Sequence, residues 1–279
     1  MSDIIFTHMQ VQKSDIYDTI ISLLKGAGWQ DISSSSANDF NVMYSKGIDG
    51  DKELYFQMRP WVSSVSYDIK TTNYPCFTMR LIKEYIPNAT MGLSGTFGYP
   101  STAWHNVFTC YSSGLNWNHN SFANTCVCDM YYQVDANGIV VIIRPPRSTG
   151  LEPSMFIMKN LVEEYCKCSK SNGFMFLQDG RAYITGLSDA VASSLTDYIE
   201  ITKYCTLAPT NPSVDGKYTM SELYFGSTAE GIRYKLSGIY FLPAIAILDD
   251  DHITVGSEEY NVAKIASGGP SRFIAYRVA

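Results

Sequence analysis

The chain has 279 residues, of which 46% are hydrophobic and 17% are charged, and its net charge is −6 at pH 7. A soluble domain typically has about 25% charged residues, so this surface is polar but weakly charged. The apolar content excludes a wholly disordered chain, and the acidic balance argues against a broad basic face for nucleic acid. No apolar run reaches the roughly 18 residues of a membrane span, so we expect no membrane insertion. The N-terminus lacks a secretory signal pattern, so we expect synthesis in a cytoplasm.

The chain contains 20 tyrosines and seven cysteines. Tyrosine is enriched at protein contacts because its ring supplies area while its hydroxyl stays hydrogen-bonded. An odd cysteine count in a chain large enough to build its own core indicates free thiols more than a disulfide scaffold. The composition therefore favours an assembly subunit over a monomeric enzyme.

The first predicted element is a helix that begins after Ser14 and Asp15, two good helix-start residues. Gly26 and Gly28 are expected to end it, and Trp29 to pack back against it. Its apolar residues recur at helical spacing and are Ile16, Tyr17, Ile20, Ile21, Leu23 and Leu24.

Three strands are predicted next, over residues 40–44, 53–59 and 76–85, with a glycine-rich turn at 47–51. In the second of them, Leu54, Phe56 and Met58 alternate with polar neighbours, which is typical of a half-buried strand. The helix and these strands form the first predicted unit.

Residues 87–125 have poor periodicity and are rich in glycine, serine, threonine and asparagine. A long segment of this kind in a compact domain is usually functional or faces a partner. We therefore predict that it lies in contact with a neighbouring subunit. The interface residues expected are Tyr99, Trp104, Phe108, Tyr111, Trp117 and Phe122.

The rest of the chain is predicted to be mainly strands and turns. One hairpin is centred on Asp135-Ala136-Asn137-Gly138, and a second on Asp179-Gly180. Residues 154–165 fit either a strand or a short helix, and residues 207–216 are predicted to be a linker or a long turn. Strands are also expected at 126–133, 139–144, 174–178, 181–185, 232–241, 253–255, 260–265 and 273–278.

The predicted fold class is α+β and predominantly β: a small N-terminal α/β unit followed by an antiparallel β-rich region with long Gly- and aromatic-rich loops. The organisation expected is residues 1–86 as a helix plus a small sheet, 87–206 as a hairpin region with a partner-facing loop, and 207–279 as a C-terminal β-rich region.

Two Cys-x-Cys pairs make a four-thiolate zinc site the sharpest chemical candidate. Structural zinc sites usually separate paired ligands by two to four residues, so one intervening residue is atypical. The alternative is that these cysteines are small buried apolar residues. The candidate ligands are Cys126, Cys128, Cys166 and Cys168.

A cysteine nucleophile would need a neighbouring base, and two Cys–His combinations are close in sequence: His105 with Cys110, and His119 with Cys126. No family signature accompanies them, so a loop role is the simpler interpretation.

Adjacent carboxylates occur at 163–164, 249–251 and 258–259, but hydrolase carboxylates usually flank a cleft from separate elements, and a charged turn explains 249–251. Phosphate-loop, dinucleotide-binding and nucleophile-elbow motifs are absent from the sequence. We therefore predict no enzyme activity and no cofactor.

Several turn-plus-strand segments together resemble virion structural proteins of tailed bacteriophages, the class of neck, tail-completion and baseplate-proximal subunits. They are residues 26–29 after the opening helix, 47–59, 137–144, 230–240, 253–262 and 273–276.

This resemblance implies a structural subunit of the virion that forms a ring at the neck, tail or baseplate. Its partners would be copies of itself and other phage tail or neck proteins, without sequence recognition of nucleic acid. Two alternatives stay open: a receptor- or glycan-binding virion module, in which Trp104, Tyr111 and Trp117 would stack on sugars, and a cell-wall hydrolase with an unrecognised site.

Overall fold

We analysed a computed structural model of the chain. It describes residues 4–33, 41–50, 53–61, 68–73, 77–82, 85–86, 96–97, 105–107, 123–160, 173–178, 182–186, 198–200, 220–227, 231–242, 247–264 and 273–279. The protein is mostly antiparallel β-sheet with one short α-helix near the N-terminus, which confirms the predicted α+β, predominantly β class.

A six-stranded antiparallel sheet forms the middle layer, and we call it the central sheet. Its strands, in spatial order, are β1 (Thr7–Gln12), β9 (Val127–Asp135), β10 (Gly138–Arg144), β11 (Ser154–Asn160), β12 (Gly173–Gln178) and β13 (Ala182–Gly186). All seven residues of β10 are buried, so this strand is covered on both faces. Its run of β-branched residues, Ile139 to Ile143, is the composition expected of a doubly buried strand.

The helix α1 (Ile16–Gly26) and a second sheet, the N-terminal sheet, cover one face of the central sheet. The buried side of the helix is the predicted apolar face, with Leu23 only partly buried at its margin. Trp29 is 3% exposed and belongs to the same core cluster as Ile20 and Leu24 of the helix, in agreement with the predicted anchor. Its ring also meets Phe56 edge to face at 5.1 Å. The strands of this sheet are β2 (Gln30–Asp31), β3 (Asn41–Ser45), β4 (Leu54–Arg59), β5 (Phe77–Ile82) and β8 (His105–Val107).

A third sheet, the C-terminal sheet, covers the opposite face of the central sheet. Val140, Ile142 and Ile157 of the central sheet pack there in one cluster with Ile239 and Ile274. The strands, in spatial order, are β14 (Tyr198–Glu200), β15 (Ser221–Ser227), β16 (Gly231–Leu242), β19 (Phe273–Arg277), β18 (Glu258–Lys264) and β17 (His252–Val255). A separate two-stranded pair is formed by β6 (Tyr85–Ile86) and β7 (Thr96–Phe97).

The turn between β9 and β10 is a close-packed point of the fold. Gly138 has φ +150°, and a Cβ built there would lie 2.1 Å from the carbonyl oxygen of Met158. Trp29 donates its indole N–H to the carbonyl oxygen of Asp135 at 2.8 Å, and Ser45 donates its hydroxyl to that of Ala136 at 2.6 Å. The end of the helix and the N-terminal sheet are thereby fixed to this hairpin.

The prediction that a helix is the first element is wrong, because the strand β1 precedes the helix. The segment from Ser154, for which a strand or a short helix was expected, forms the strand β11, and β15 is a strand that the sequence pattern did not predict. The two predicted hairpins are confirmed as the pairs β9–β10 and β12–β13. The threefold division of the chain stays a prediction, although β1 pairs along its length with β9 from the middle region.

Within the described residues, no helix is both long enough and apolar enough to span a bilayer.

Candidate interaction site

A groove of about 600 Å³ lies between the exposed flank of α1 and the sheet edge formed by β1 and β9, and we call it the α1–β1 groove. Its floor is apolar, and its helical wall is polar at one end. The lining residues are Met9, Asp15, Asp18, Thr19, Ser22, Leu23, Gly26, Ala27, Tyr132 and Val134.

The two ends of the groove differ in chemistry. Asp15 and Asp18 lie at the N-terminus of α1, where the helix dipole favours carboxylates, and both side chains are exposed. Asp18 also pairs with Lys70 at 2.8 Å. At the other end, Leu23 and Ala27 face the sheet near Tyr132. The groove therefore combines an acidic end with an apolar end.

Strand β1 is the edge of the central sheet beside this groove. It pairs with β9 in a continuous register from Thr7↔Tyr132 to Gln12↔Val127, with no bulge. Natural edge strands usually carry lysine, proline or a bulge that blocks further pairing. Strand β1 contains none of these, and Thr7, His8, Gln10 and Gln12 are exposed.

The direction of the free peptide groups on β1 follows from two hydrogen bonds. Lys13 N–H donates to the carbonyl oxygen of Cys126 at 2.8 Å and so continues the ladder with β9, whereas Phe6 N–H donates outward to that of Arg277 at 2.8 Å. Because partners alternate along an antiparallel pair, the peptide groups of His8, Gln10 and Gln12 point away from β9. No described residue bonds to them there, so we call this face the outer edge of β1.

Lys13 fixes the corner between β1 and α1. Its ammonium group is buried and donates to the carbonyl oxygen of Ile69 at 2.8 Å, to that of Thr72, and to Oδ1 of Asn124 at 2.7 Å. Burial lowers the pKa of Lys13 to about 8, while the nearby Asp68 acts in the opposite direction. Three acceptors thus hold the strand–helix junction that positions the groove.

The opposite face of β1 carries a polar and aromatic cluster. His8 Nε2 lies 2.9 Å from Oδ1 of Asp129, and the His8 ring stacks on Tyr131 with centroids 4.6 Å apart. Gln10 donates to the same carboxylate oxygen at 3.4 Å. These contacts order the exposed side chains of the edge strand on the face away from the groove.

A buried charged network joins the central and C-terminal sheets. Arg144 Nη1 donates to the carbonyl oxygen of Val262 at 2.8 Å and to the hydroxyl of Tyr276 at 3.2 Å. Its Nη2 lies 3.1 Å from Asp249 and also pairs with Asp250. Burial alone would lower the pKa of Arg144, but Tyr276 and Asp249 outweigh it and raise that pKa. The predicted charged turn at 249–251 is confirmed. The network holds this turn and the C-terminal sheet against the central sheet.

The first Cys-x-Cys pair lies at the start of β9. Cys128 is fully buried and Cys126 is partly buried, and both pack on the core cluster under the helix, so they face the same side as predicted. Burial raises the pKa of the Cys128 thiol to about 12. Among the described residues no group of three or more metal-ligating side chains occurs, while Cys166 and Cys168 lie outside them.

The predicted loop interface lies outside the described residues, so Tyr99, Trp104, Phe108, Tyr111, Trp117 and Phe122 stay predictions. Of the Cys–His candidates, Cys110 and His119 also lie outside them, whereas the backbone of His105 belongs to β8. The groove was missed at the sequence level because β1 was not predicted as a strand and because β9, which completes the groove, lies far along the chain from β1 and α1. The sequence feature that could have pointed to the groove is the pair of carboxylates, Asp15 and Asp18, at the start of the predicted helix.

Comparison with known proteins gave no assignment: no protein-family model matches the chain, and no curated protein matches it.

Proposed function

We propose that this protein is a structural subunit of a tailed-bacteriophage virion, which forms a ring at the neck, tail or baseplate through protein–protein contacts. The proposal joins the resemblance described above to the physical character of the chain. Its partners would be copies of itself and adjoining tail or neck proteins, and it would act by binding, without turnover.

The observation that carries the proposal is the outer edge of β1. It is regular, contains no lysine, arginine, aspartate or glutamate, and is accessible beside a groove. An accessible edge of this kind favours pairing with another chain, and a protein that stays monomeric usually avoids it. An assembly subunit has a use for such an edge, because a neighbour covers it.

The layered construction supports the same role. Strand β10 of the central sheet is buried on both faces, the Arg144 network crosses one layer boundary, and Lys13 fixes the strand–helix corner, so this part of the subunit has few internal degrees of freedom. Subunits that are already rigid lose less conformational entropy on assembly, so more of the contact energy remains for binding. Closed rings also demand a reproducible angle between neighbours.

Native mass spectrometry and negative-stain microscopy of the purified full chain test the ring. We expect one defined copy number and closed particles, more populated as concentration rises. A chain that stays monomeric at the highest soluble concentration, with or without phage tail proteins, would contradict self-assembly.

Gold-labelled antibody against the chain, applied to purified phage particles, tests the position in the virion. We expect label at the neck, tail or baseplate. Particles without label would refute the assignment, as would a clearing zone in a cell-wall zymogram. Strong binding to a glycan array with no particle assembly would favour the receptor-binding alternative.

Limited proteolysis tests the predicted contact of residues 99–122. We expect faster cleavage of this segment in isolated subunits than in assembled particles, because a neighbour would shield it. Equal resistance in both states would remove this segment from the interface.

A further inference from the structure

We infer that the α1–β1 groove is a docking site for an extended segment of a neighbouring protein chain, which adds to the outer edge of β1 as a further antiparallel strand. This inference rests on the proposed function for the origin of the segment, and it deepens that function by naming the contact. The segment carries a lysine or arginine for the acidic end of the groove and an apolar side chain for the other end.

The main-chain part of the contact comes from His8, Gln10 and Gln12, whose peptide groups point outward. An added strand satisfies these groups regardless of its sequence, as in other cases of strand addition to a sheet edge. The antiparallel direction is favoured because every strand pair in the described sheets is antiparallel. At the far end, Phe6 is already bonded to Arg277, so the free edge spans only His8 to Gln12.

Specificity comes from the groove under α1. Side chains of the added strand alternate between its two faces, so every second one enters the groove. Asp15 and Asp18 are the charged residues that line the groove. Asp18 already pairs with Lys70, whereas Asp15 has no ion pair among the described residues, so the Asp15 carboxylate makes this end complementary to lysine or arginine. Leu23, Ala27 and Tyr132 offer an apolar surface at the other end.

Helix and strand dimensions set the spacing of the two recognised side chains. The acidic and apolar ends are separated by about eight to nine helical residues, which at 1.5 Å each is roughly 13 Å. A strand covers that length in about four residues. The acidic end lies beside Gln12 and the apolar end beside Thr7. An antiparallel segment passes Gln12 first, so from its N-terminus it carries Lys or Arg, then three residues, then Leu or a similar apolar residue.

The experiment uses the full chain and synthetic fluorescent peptides of alternating Val and Thr. Four of them carry Lys or Glu at one position and Leu or Asp four residues later, in all four combinations. The fifth peptide places Leu first and Lys four residues later. Fluorescence anisotropy should rank the Lys–Leu peptide first. We expect roughly fivefold weaker binding when Lys becomes Glu. Equal binding of all five peptides, or of none, would overturn the inference.

Variants locate the binding to this edge. Gln10→Pro removes one outward N–H, because proline on an edge strand leaves the ladder with β9 intact, and roughly tenfold weaker binding is expected. Gln10→Thr is the matched control that keeps the N–H and the affinity. Ser22→Tyr fills the groove from an exposed position on α1 and should also weaken binding at least tenfold, whereas Lys25→Tyr, on the same helix outside the groove, should leave the affinity unchanged.

The outcomes separate this inference from the proposed ring. Rings that form equally well with Gln10→Pro, together with unchanged peptide binding, would overturn the docking site and leave the assembly role standing. Selective binding of the Lys–Leu peptide by a chain that never assembles would uphold the site and contradict the ring. A two-fold dimer through paired β1 strands that excludes every peptide would also overturn the inference.

Discussion

Arg144 of the central sheet donates a 2.8 Å hydrogen bond from Nη1 to the main-chain oxygen of Val262 in the C-terminal sheet. The guanidinium side chain is only 9% exposed, and two aspartates also pair with it. When a buried cation has a full set of hydrogen-bond and ion-pair partners, these offset much of its desolvation free energy. Removal of the cation leaves each of those partners without a bond and lowers the stability of the fold.

Replacing Arg144 with methionine is therefore expected to lower the free energy of unfolding by about 3 kcal/mol, because Asp249 and Asp250 would stay partly buried without their cation. Arg147→Met is the matched control. Arg147 also pairs with Asp250 but is 76% exposed, so its loss should cost less than about 1 kcal/mol. Urea unfolding measures both. Equal effects of the two substitutions would show that the buried network does not stabilise the layers.

Lys13 predicts a pH dependence of stability. Its pKa falls to about 8 in the folded chain, against an ordinary value of 10.5 for lysine, so the unfolded chain binds more protons between those limits. Stability should therefore rise with pH from about 8 towards 10, at up to roughly 1.4 kcal/mol per pH unit. Below pH 8 both states hold the proton and this contribution is flat.

The measurement is urea unfolding of the wild type and of Lys13→Met at pH 7 to 9.5. The variant should lack this slope, and at pH 7 it should be about 3 kcal/mol less stable, because three oxygen acceptors lose their donor. The same slope in both proteins would assign the effect to other groups.

Gly138 is expected to tolerate no side chain. An alanine Cβ would lie 2.1 Å from the Met158 carbonyl oxygen and 2.7 Å from the Lys159 Cα, and both are backbone atoms of the adjoining strand. Gly138→Ala should cost about 3 kcal/mol or more in the free energy of unfolding, because the pair β10–β11 must separate locally. Gly150→Ala is the control: its φ is +67° with open space around it, so only the backbone cost of about 1–2 kcal/mol is expected. Thermal unfolding ranks the two variants.

Thiol labelling distinguishes the buried cysteine from its neighbour. Cys128 is fully buried and its pKa is raised to about 12, so it should react only after unfolding, whereas Cys126 is partly exposed and should react slowly in the native chain. Peptide mapping after iodoacetamide treatment measures each site. Protection of Cys126 that a chelator abolishes, with stoichiometric zinc in the preparation, would instead support the zinc site.

Local patterns predicted the elements whose stabilising contacts are near in sequence. The helix α1 follows from apolar spacing, and the hairpin β9–β10 from its Asp-Ala-Asn-Gly turn, because spacing and turn chemistry act within a few residues. Strand β1 was missed although Met9 and Val11 alternate with polar residues, because this alternation is short and no hairpin turn links it to a neighbouring strand. It is a strand because β9, far along the chain, supplies its partner groups.

The same distinction holds for the groove and its supports. Lys13 reads as an ordinary surface lysine, and its acceptors lie 56, 59 and 111 residues away. By itself, the sequence determined the composition of the surface, the periodicity of the helix and the turns that join neighbouring strands. Tertiary structure alone decided which edge stays open, where the acidic and apolar ends of the groove meet, and which charges are buried, since each depends on groups that only long-range strand pairing brings together.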